Sequence, residues 1–342
     1  MSDVRFVGCE GGERSDAQAI ATVHASGRPR RIIDVHAHCA IPAAMALAGA
    51  PPIPVAVAGL NDSGDDVATR LAAMDAHGVD LQVLSINPFW YAADQDLSRQ
   101  VVDLQNEALA ELVGRSPDRF AALAAVALQH PDLAAEQLER AVKRLGLRGA
   151  LVGGSVEGEE LSDPRFRPFW AKAEDLGAVI FIHPQATPDL RARLRGSGGL
   201  PVTLGYPLET TIALAHLIFE GTLDRFPGLK ICVAHGGGFL PAYAGRFDAG
   251  IATFPSSYTV KLKKPPSAYL RDLYYDSLLF TPEGLRHLIA EVGADRVMVG
   301  SDWPFPWTDR PVQHVLETPG LTDAERAAIL GDTAARLFGL NG

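Results

Sequence analysis

The stretch Ile32-Ile33-Asp34-Val35-His36-Ala37-His38 is an apolar run that ends in two histidines spaced i and i+2. In a strand, successive side chains alternate between faces, so His36 and His38 point the same way. Two neutral imidazoles on one face chelate a zinc-like ion at little ordering cost. Three more residues of ligand type follow apolar runs: His183 after 178–182, His235 after 229–234, and Asp302 just beyond 296–300. His36, His38, His183 and Asp302 form a hard-to-borderline donor set for one divalent ion. Zinc (Zn2+) is the default occupant, with Mn2+, Fe2+ or Co2+ as alternatives. A catalytic site of this kind keeps one position open for water or a substrate oxygen and lowers the pKa of bound water toward neutrality. His235 and Asp302 are then the candidate acid–base residues.

These residues act together only if distant strand ends meet. Apolar strands are expected at 31–36, 79–86, 120–126, 148–152, 178–182, 229–234, 273–276 and 296–300. Helices are expected at 65–77, 97–114, 133–145, 164–176, 208–220, 239–252 and 282–292, with two more around 311–316 and 322–338. Gly78, Gly146 and Gly177 supply helix stops. Strands that are apolar throughout, separated by helices, indicate a parallel sheet covered on both faces. About eight such units in ~300 residues predict an α/β fold, a TIM-type (β/α)8 barrel with long βα loops and extra C-terminal helices. The expected organisation is an N-terminal arm, 1–30, and a single metal-dependent barrel domain, 31–342. In such a barrel all C-terminal strand ends share one mouth. An open doubly wound sheet is the alternative, and it gives no reason for ligand-type residues at strand ends along the whole chain.

With 342 residues, 47% of them hydrophobic, the chain can bury a large core. A net charge of −10 argues against a phosphate-backbone binder and fits a cytoplasmic protein. Cys9, Cys39 and Cys232 are too few and scattered for a disulfide framework. The first residues carry acids and lack an apolar stretch, so they do not read as a signal peptide. No run approaches the ~20 apolar residues of a membrane span. Neither nucleic acid nor membrane is expected as a partner. His24, His77, His130, His216, His287 and His314 read as structural or solvated.

The order His36-Ala37-His38, Phe181-Ile182-His183-Pro184, Val233-Ala234-His235-Gly236-Gly237-Gly238 and Gly300-Ser301-Asp302-Trp303-Pro304-Phe305-Pro306 resembles the amidohydrolase superfamily. More closely it resembles the branch containing α-amino-β-carboxymuconate-ε-semialdehyde decarboxylase. Met74-Asp75, Gly78-Val79, Phe226-Pro227-Gly228-Leu229-Lys230 and Ala244-Gly245-Arg246 are similar too. The resemblance covers roughly residues 31–340. It implies a mononuclear metal site and a non-oxidative decarboxylase, or a related lyase or hydrolase. Strand four ends Leu151-Val152-Gly153-Gly154, without the lysine that bridges two ions in binuclear relatives. The family decarboxylase has a substrate-carboxylate arginine before the first helix. Here that stretch reads Asn61-Asp62, and the nearest arginine, Arg70, lies inside the helix. Arg246 matches the family's second arginine, which reaches a neighbouring subunit's site, so a homodimer is implied.

The favoured function is therefore metal-dependent decarboxylation of a small aromatic or unsaturated carboxylic acid, with Phe89, Trp90, Trp303 and Phe305 around the ring and Arg246 on anionic oxygens. Hydrolysis of an amide or lactone on the same scaffold is the rival. A non-catalytic binding protein is the third reading, and the intact ligand set argues against it.

Overall fold

The computed structural model describes residues 31–50, 64–185 and 191–340. The expected N-terminal arm and the Asn61-Asp62 stretch lie outside them. Among the described residues eight barrel strands form, besides a small antiparallel hairpin at Ser155–Val156 and Glu159–Glu160: β1 Ile33–His38, β2 Leu81–Ser85, β3 Phe120–Ala122, β4 Gly149–Val152, β5 Val179–Ile182, β6 Lys230–Val233, β7 Tyr274–Asp276 and β8 Val297–Met298. They make two parallel sheets, β1-β2-β3 and β4-β5-β6-β7-β8. Two seams join the sheets. Ala124 bridges to Ala150, with Ala124 N donating to Gly149 O at 2.8 Å and Leu151 N to Ala124 O at 3.1 Å. Ala37 bridges to Trp303, with Val35 N donating to Val299 O at 2.9 Å and Asp302 N to His36 O at 2.8 Å. The sheet closes on itself as the expected (β/α)8 barrel.

The main covering helices are α1 Gly64–His77, α2 Gln95–Arg115, α3 Pro131–Arg144, α4 Arg167–Leu176, α5 Tyr206–Phe219, α6 Ala244–Thr253 and α7 Pro282–Val292. Their starts carry helix-entry chemistry. Asp94 accepts from Leu97 N at 2.9 Å before α2, and Thr281 accepts from Gly284 N at 3.1 Å before α7. Burial sorts the strand residues into two layers. Ile33, Val35, Leu81, Val83, Leu151, Val179, Phe181, Cys232 and Met298 fill the barrel interior. Ala37, Leu84, Ala150, Val152, Ile180, Ile182, Ile231 and Val233 join the outer layer with the helices. Both faces are dry, which is why the strands read as continuous apolar runs.

Several expected boundaries shift for local reasons. The first strand runs on through both histidines. The connection after it holds a short helix, Pro42–Leu47. The helix expected at 239–252 starts later, at Ala244, because Gly236, Gly237 and Gly238 all take positive φ and a 3-10 turn at Pro241–Tyr243 follows. The last helix is interrupted by a π-helical stretch, Ala328–Asp332, where the Ile329 carbonyl accepts from Val299 N of the β8 segment at 3.1 Å. Pro201–Phe219 corrects the expectation about apolar runs: its 19 residues have a mean hydropathy of 1.3 and are long and apolar enough to cross a membrane. In the barrel its inner face, Ala213, Leu214, Leu217 and Ile218, is buried in the outer layer, and Glu209 is buried on the same helix. Cys39 and Cys232 are buried and form no disulfide.

Gly149 stands at the β3–β4 seam with φ +152°, and a Cβ there would lie 1.8 Å from Val179 O. Gly149→Ala is therefore expected to destabilise the fold by about 3 kcal/mol or more. Urea unfolding followed by circular dichroism measures it, and a midpoint equal to that of the unaltered protein would contradict the close approach of Gly149 to Val179 of β5.

Candidate metal centre

Four of the five expected ligand-type side chains meet at the C-terminal mouth. His36, His38, His183 and Asp302 are all buried, and one donor atom from each lies within 4.8 Å of the others. His36 Nε2 is 3.0 Å from His38 Nε2 and 3.2 Å from Asp302 Oδ1, and His38 Nε2 is 3.0 Å from the same oxygen. His183 continues the inward face of β5 after Val179 and Phe181, and its ring centroid lies 4.7 Å from that of His38. His235 stands beside the cluster, its Nε2 3.8 Å from Asp302 Oδ2. Asp302 and His235 both take positive φ, 58° and 55°, so the chain turns sharply at each strand exit to aim the side chain.

The orientation of the first two ligands depends on an irregularity. Strand β1 pairs Asp34 with Gln82 but Ala37 with Leu84, so β1 contains one extra residue in between. Ile33 and Val35 face the barrel interior, and Ala37 faces the helices. Unbroken alternation would send His36 and His38 outward with Asp34. The β-bulge reverses the parity after Val35, and both imidazoles turn inward.

Asp276 completes the site and was not expected from the sequence. It ends β7, fully buried, and His36 Nδ1 donates to its Oδ2 at 2.6 Å. It also accepts from His235 N at 2.8 Å and Gly236 N at 2.8 Å. Burial opposes its charge, and the His36 hydrogen bond leads the interactions that keep the carboxyl below its ordinary value. An ionised Asp276 fixes the His36 tautomer, leaving the Nε2 lone pair for the cluster. The signal was available: Asp276 is a strand-end acid like Asp302. Gly300 permits the close approach, since a Cβ there would lie 2.7 Å from the Asp276 Cβ and 3.0 Å from the His36 Cβ.

The donor set fits a divalent cation. Both ring nitrogens of the buried His183 lack hydrogen-bond partners, which in a dry site is costly unless an ion takes one up. Burial lowers the His183 and His38 pKa values, keeping both imidazoles in the neutral, ligating form. Burial also opposes a charge on His36, but the Asp302 and Asp276 carboxylates override it and lift its pKa to about 10. Two buried carboxylates thus call for positive charge at this point.

Above the cluster lies a cavity of about 670 Å³ lined by Asn87, His183, Val202, Tyr206, Phe280, Asp302, Phe305, Pro306 and Trp307. Of the expected ring-contacting residues, Phe305 lines it, 5.9 Å from the His38 ring. Trp90 is instead packed in the core, with Nε1 donating to Val126 O at 3.0 Å, and Phe89 packs edge-on against it. Trp303 is covered by the Arg70 guanidinium at 4.2 Å. Arg246 is exposed on α6, away from the cavity lining. Cys39 is buried next to the pair of ligands.

The amidohydrolase family profile matches residues 33–340. The 2-amino-3-carboxymuconate-6-semialdehyde decarboxylase of Dictyostelium discoideum is 32% identical over 281 residues, 81% of this chain and 77% of its own. The gamma-resorcylate decarboxylase of a Rhizobium species is 34% identical over 294 residues, 80% of this chain and 87% of its own. The crystal structure of a dihydroxybenzoic acid decarboxylase from a Polaromonas species, with bound manganese and the inhibitor 2-nitroresorcinol, superposes with a TM-score of 0.78 at 30% identity, covering 91% of this chain and 98% of that one.

Asp276→Asn removes the carboxylate that orients His36 and is expected to weaken Mn2+ binding by about 10–100-fold. Competition with a chelating dye reads this directly, and an unchanged dissociation constant would remove Asp276 from the site.

Proposed function

Because the chain belongs to the amidohydrolase family, we propose that it is a metal-dependent, non-oxidative decarboxylase of a small aromatic or unsaturated carboxylic acid. The observation that supports this most is that the His36, His38, His183 and Asp302 cluster opens, through His183 and Asp302, into a cavity with mainly apolar walls. The relatives named above are decarboxylases, one of them solved with manganese. His36, His38, His183 and Asp302 would hold a divalent cation, which would supply positive charge to the acid's anionic group. Val202, Phe280, Phe305, Pro306 and Trp307 offer the ring an apolar surface. His235, next to Asp302 at the rim of the cluster, delivers a proton to the carbon that bears the carboxylate, with Asp302 as its partner. The carbon–carbon bond then breaks, its electron pair stays with the ring, and carbon dioxide leaves. Arg246 is too exposed on α6 to serve this cavity in its own chain, so its part in the proposal is to reach the cavity of a second copy in a homodimer.

Protein loaded with Mn2+ and given a panel of hydroxylated aromatic acids should release carbon dioxide. Consumption of an amide or lactone without gas would replace this reading with the hydrolase. His235→Gln is expected to lower kcat by about 10²–10⁴-fold with metal content unchanged. Equal turnover by this variant would take the proton transfer away from His235.

A further inference from the structure

The bulge that turns His36 and His38 inward leaves polar groups without ladder partners, and a buried network takes them up from outside the barrel. His36 N donates to Asp34 Oδ1 at 3.1 Å instead of joining the β2 ladder. Asp34 also accepts from Gln82 Nε2 at 3.1 Å, Ser301 N at 3.1 Å and Ser301 Oγ at 2.6 Å. Gln82 in turn accepts from Arg70 Nη1 at 3.0 Å. Arg70, on α1 and 2% exposed, sends Nη2 to the His38 carbonyl at 2.6 Å and lays its guanidinium over the Trp303 ring at 4.2 Å. One buried arginine thus touches the residue that ends the bulged strand, the residue opposite the bulge, and the residue after Asp302.

We infer that Arg70 is a positioning residue for the metal centre: it locks the bulge and the β1–β8 seam in the one register that brings His38 and Asp302 to a common ion. Two features separate this role from simple core packing. A buried guanidinium is costly unless its donors are directed, and here two of them go to the ligand-bearing strand and its bulge partner. A one-residue slip of β1 would turn both imidazoles out of the barrel, so whatever pins the register governs ligation. Lysine offers a single point donor in place of the planar fork and cannot span the His38 carbonyl and Gln82 Oε1 together in the same way.

The inference rests on the metal-centre reading, and the test keeps the two apart. Metal-stripped unaltered protein, Arg70→Lys and Arg70→Met are titrated with Mn2+, and the electron paramagnetic resonance spectrum of the bound ion is recorded. The expected result is at least about tenfold weaker binding in both variants, with a changed spectrum, while circular dichroism stays that of the folded barrel. If an arginine variant does not fold, Gln82→Leu removes the same bridge from the other side and should weaken binding in the same direction. Affinity and spectrum identical to the unaltered protein in the folded variants would overturn the role of Arg70. Failure of the unaltered protein to bind Mn2+ would instead overturn the metal reading on which it rests.

Discussion

The site depends on one extra residue in the first strand. His183 reaches the mouth by ordinary alternation after Val179 and Phe181 of β5, and Asp302 through a positive-φ turn beyond β8. In β1 the same rule would fail, because Ile33 and Val35 already occupy the inward face. The bulge lets one strand fill the hydrophobic interior with its first half and present two imidazoles with its second. The cost of that irregularity is a set of unpaired backbone groups, and the fully buried Asp34 carboxylate absorbs them along with the Ser301 turn. Barrel closure and ligand geometry are therefore one event, since the β1–β8 seam that closes the sheet also carries His36, His38 and Asp302.

Charge gives the second constraint. Asp276 and Asp302 flank His36 inside a dry barrel, and both press for a positive charge between them. A proton on His36 answers that need, which is the sense of its pKa of about 10. A divalent ion would answer it more fully, because His183, whose nitrogens otherwise have no partner, could also hold it. Metal uptake and proton release are coupled on this account. Asp276 is secured by the His235 and Gly236 amides as well as by His36, so the same carboxylate sets the metal ligand and the turn that presents His235.

The barrel and its four candidate ligands were legible because both are written in position: apolar runs, helix stops between them, and a histidine or aspartate where a run ends. Asp276 obeys the same rule and was passed over only because Tyr274-Tyr275-Asp276 is a short strand without a flanking motif. The bulge left no mark, since His-x-His reads the same whichever face it occupies. Arg70 was hidden by its setting, for an arginine on an amphipathic helix ordinarily lies in solvent. Trp90 and Trp303 sit in loops at strand ends, where an aromatic side chain can turn to the cavity or to the core. Sequence carries no preference between the two, and packing against Val126 and Arg70 decides it.

The shape of the cavity bears on which reaction suits it. Hydrolysis needs a water molecule positioned against a carbonyl and a donor for the leaving group, so a hydrolase gains from polar walls. Among the described residues Val202, Phe280, Phe305, Pro306 and Trp307 make the walls, and the polar ones are His183, Asp302, Asn87 and Tyr206. Decarboxylation needs no water as reactant, starts from a carboxylate that a cation can anchor, and ends in a small apolar gas. An apolar wall over a floor that would carry a cation suits the ring of such an acid and its carboxylate together. Once the carbon has taken its proton, the bond's electron pair returns to the ring and carbon dioxide leaves uncharged, so the apolar wall opposes the starting anion more than the neutral products.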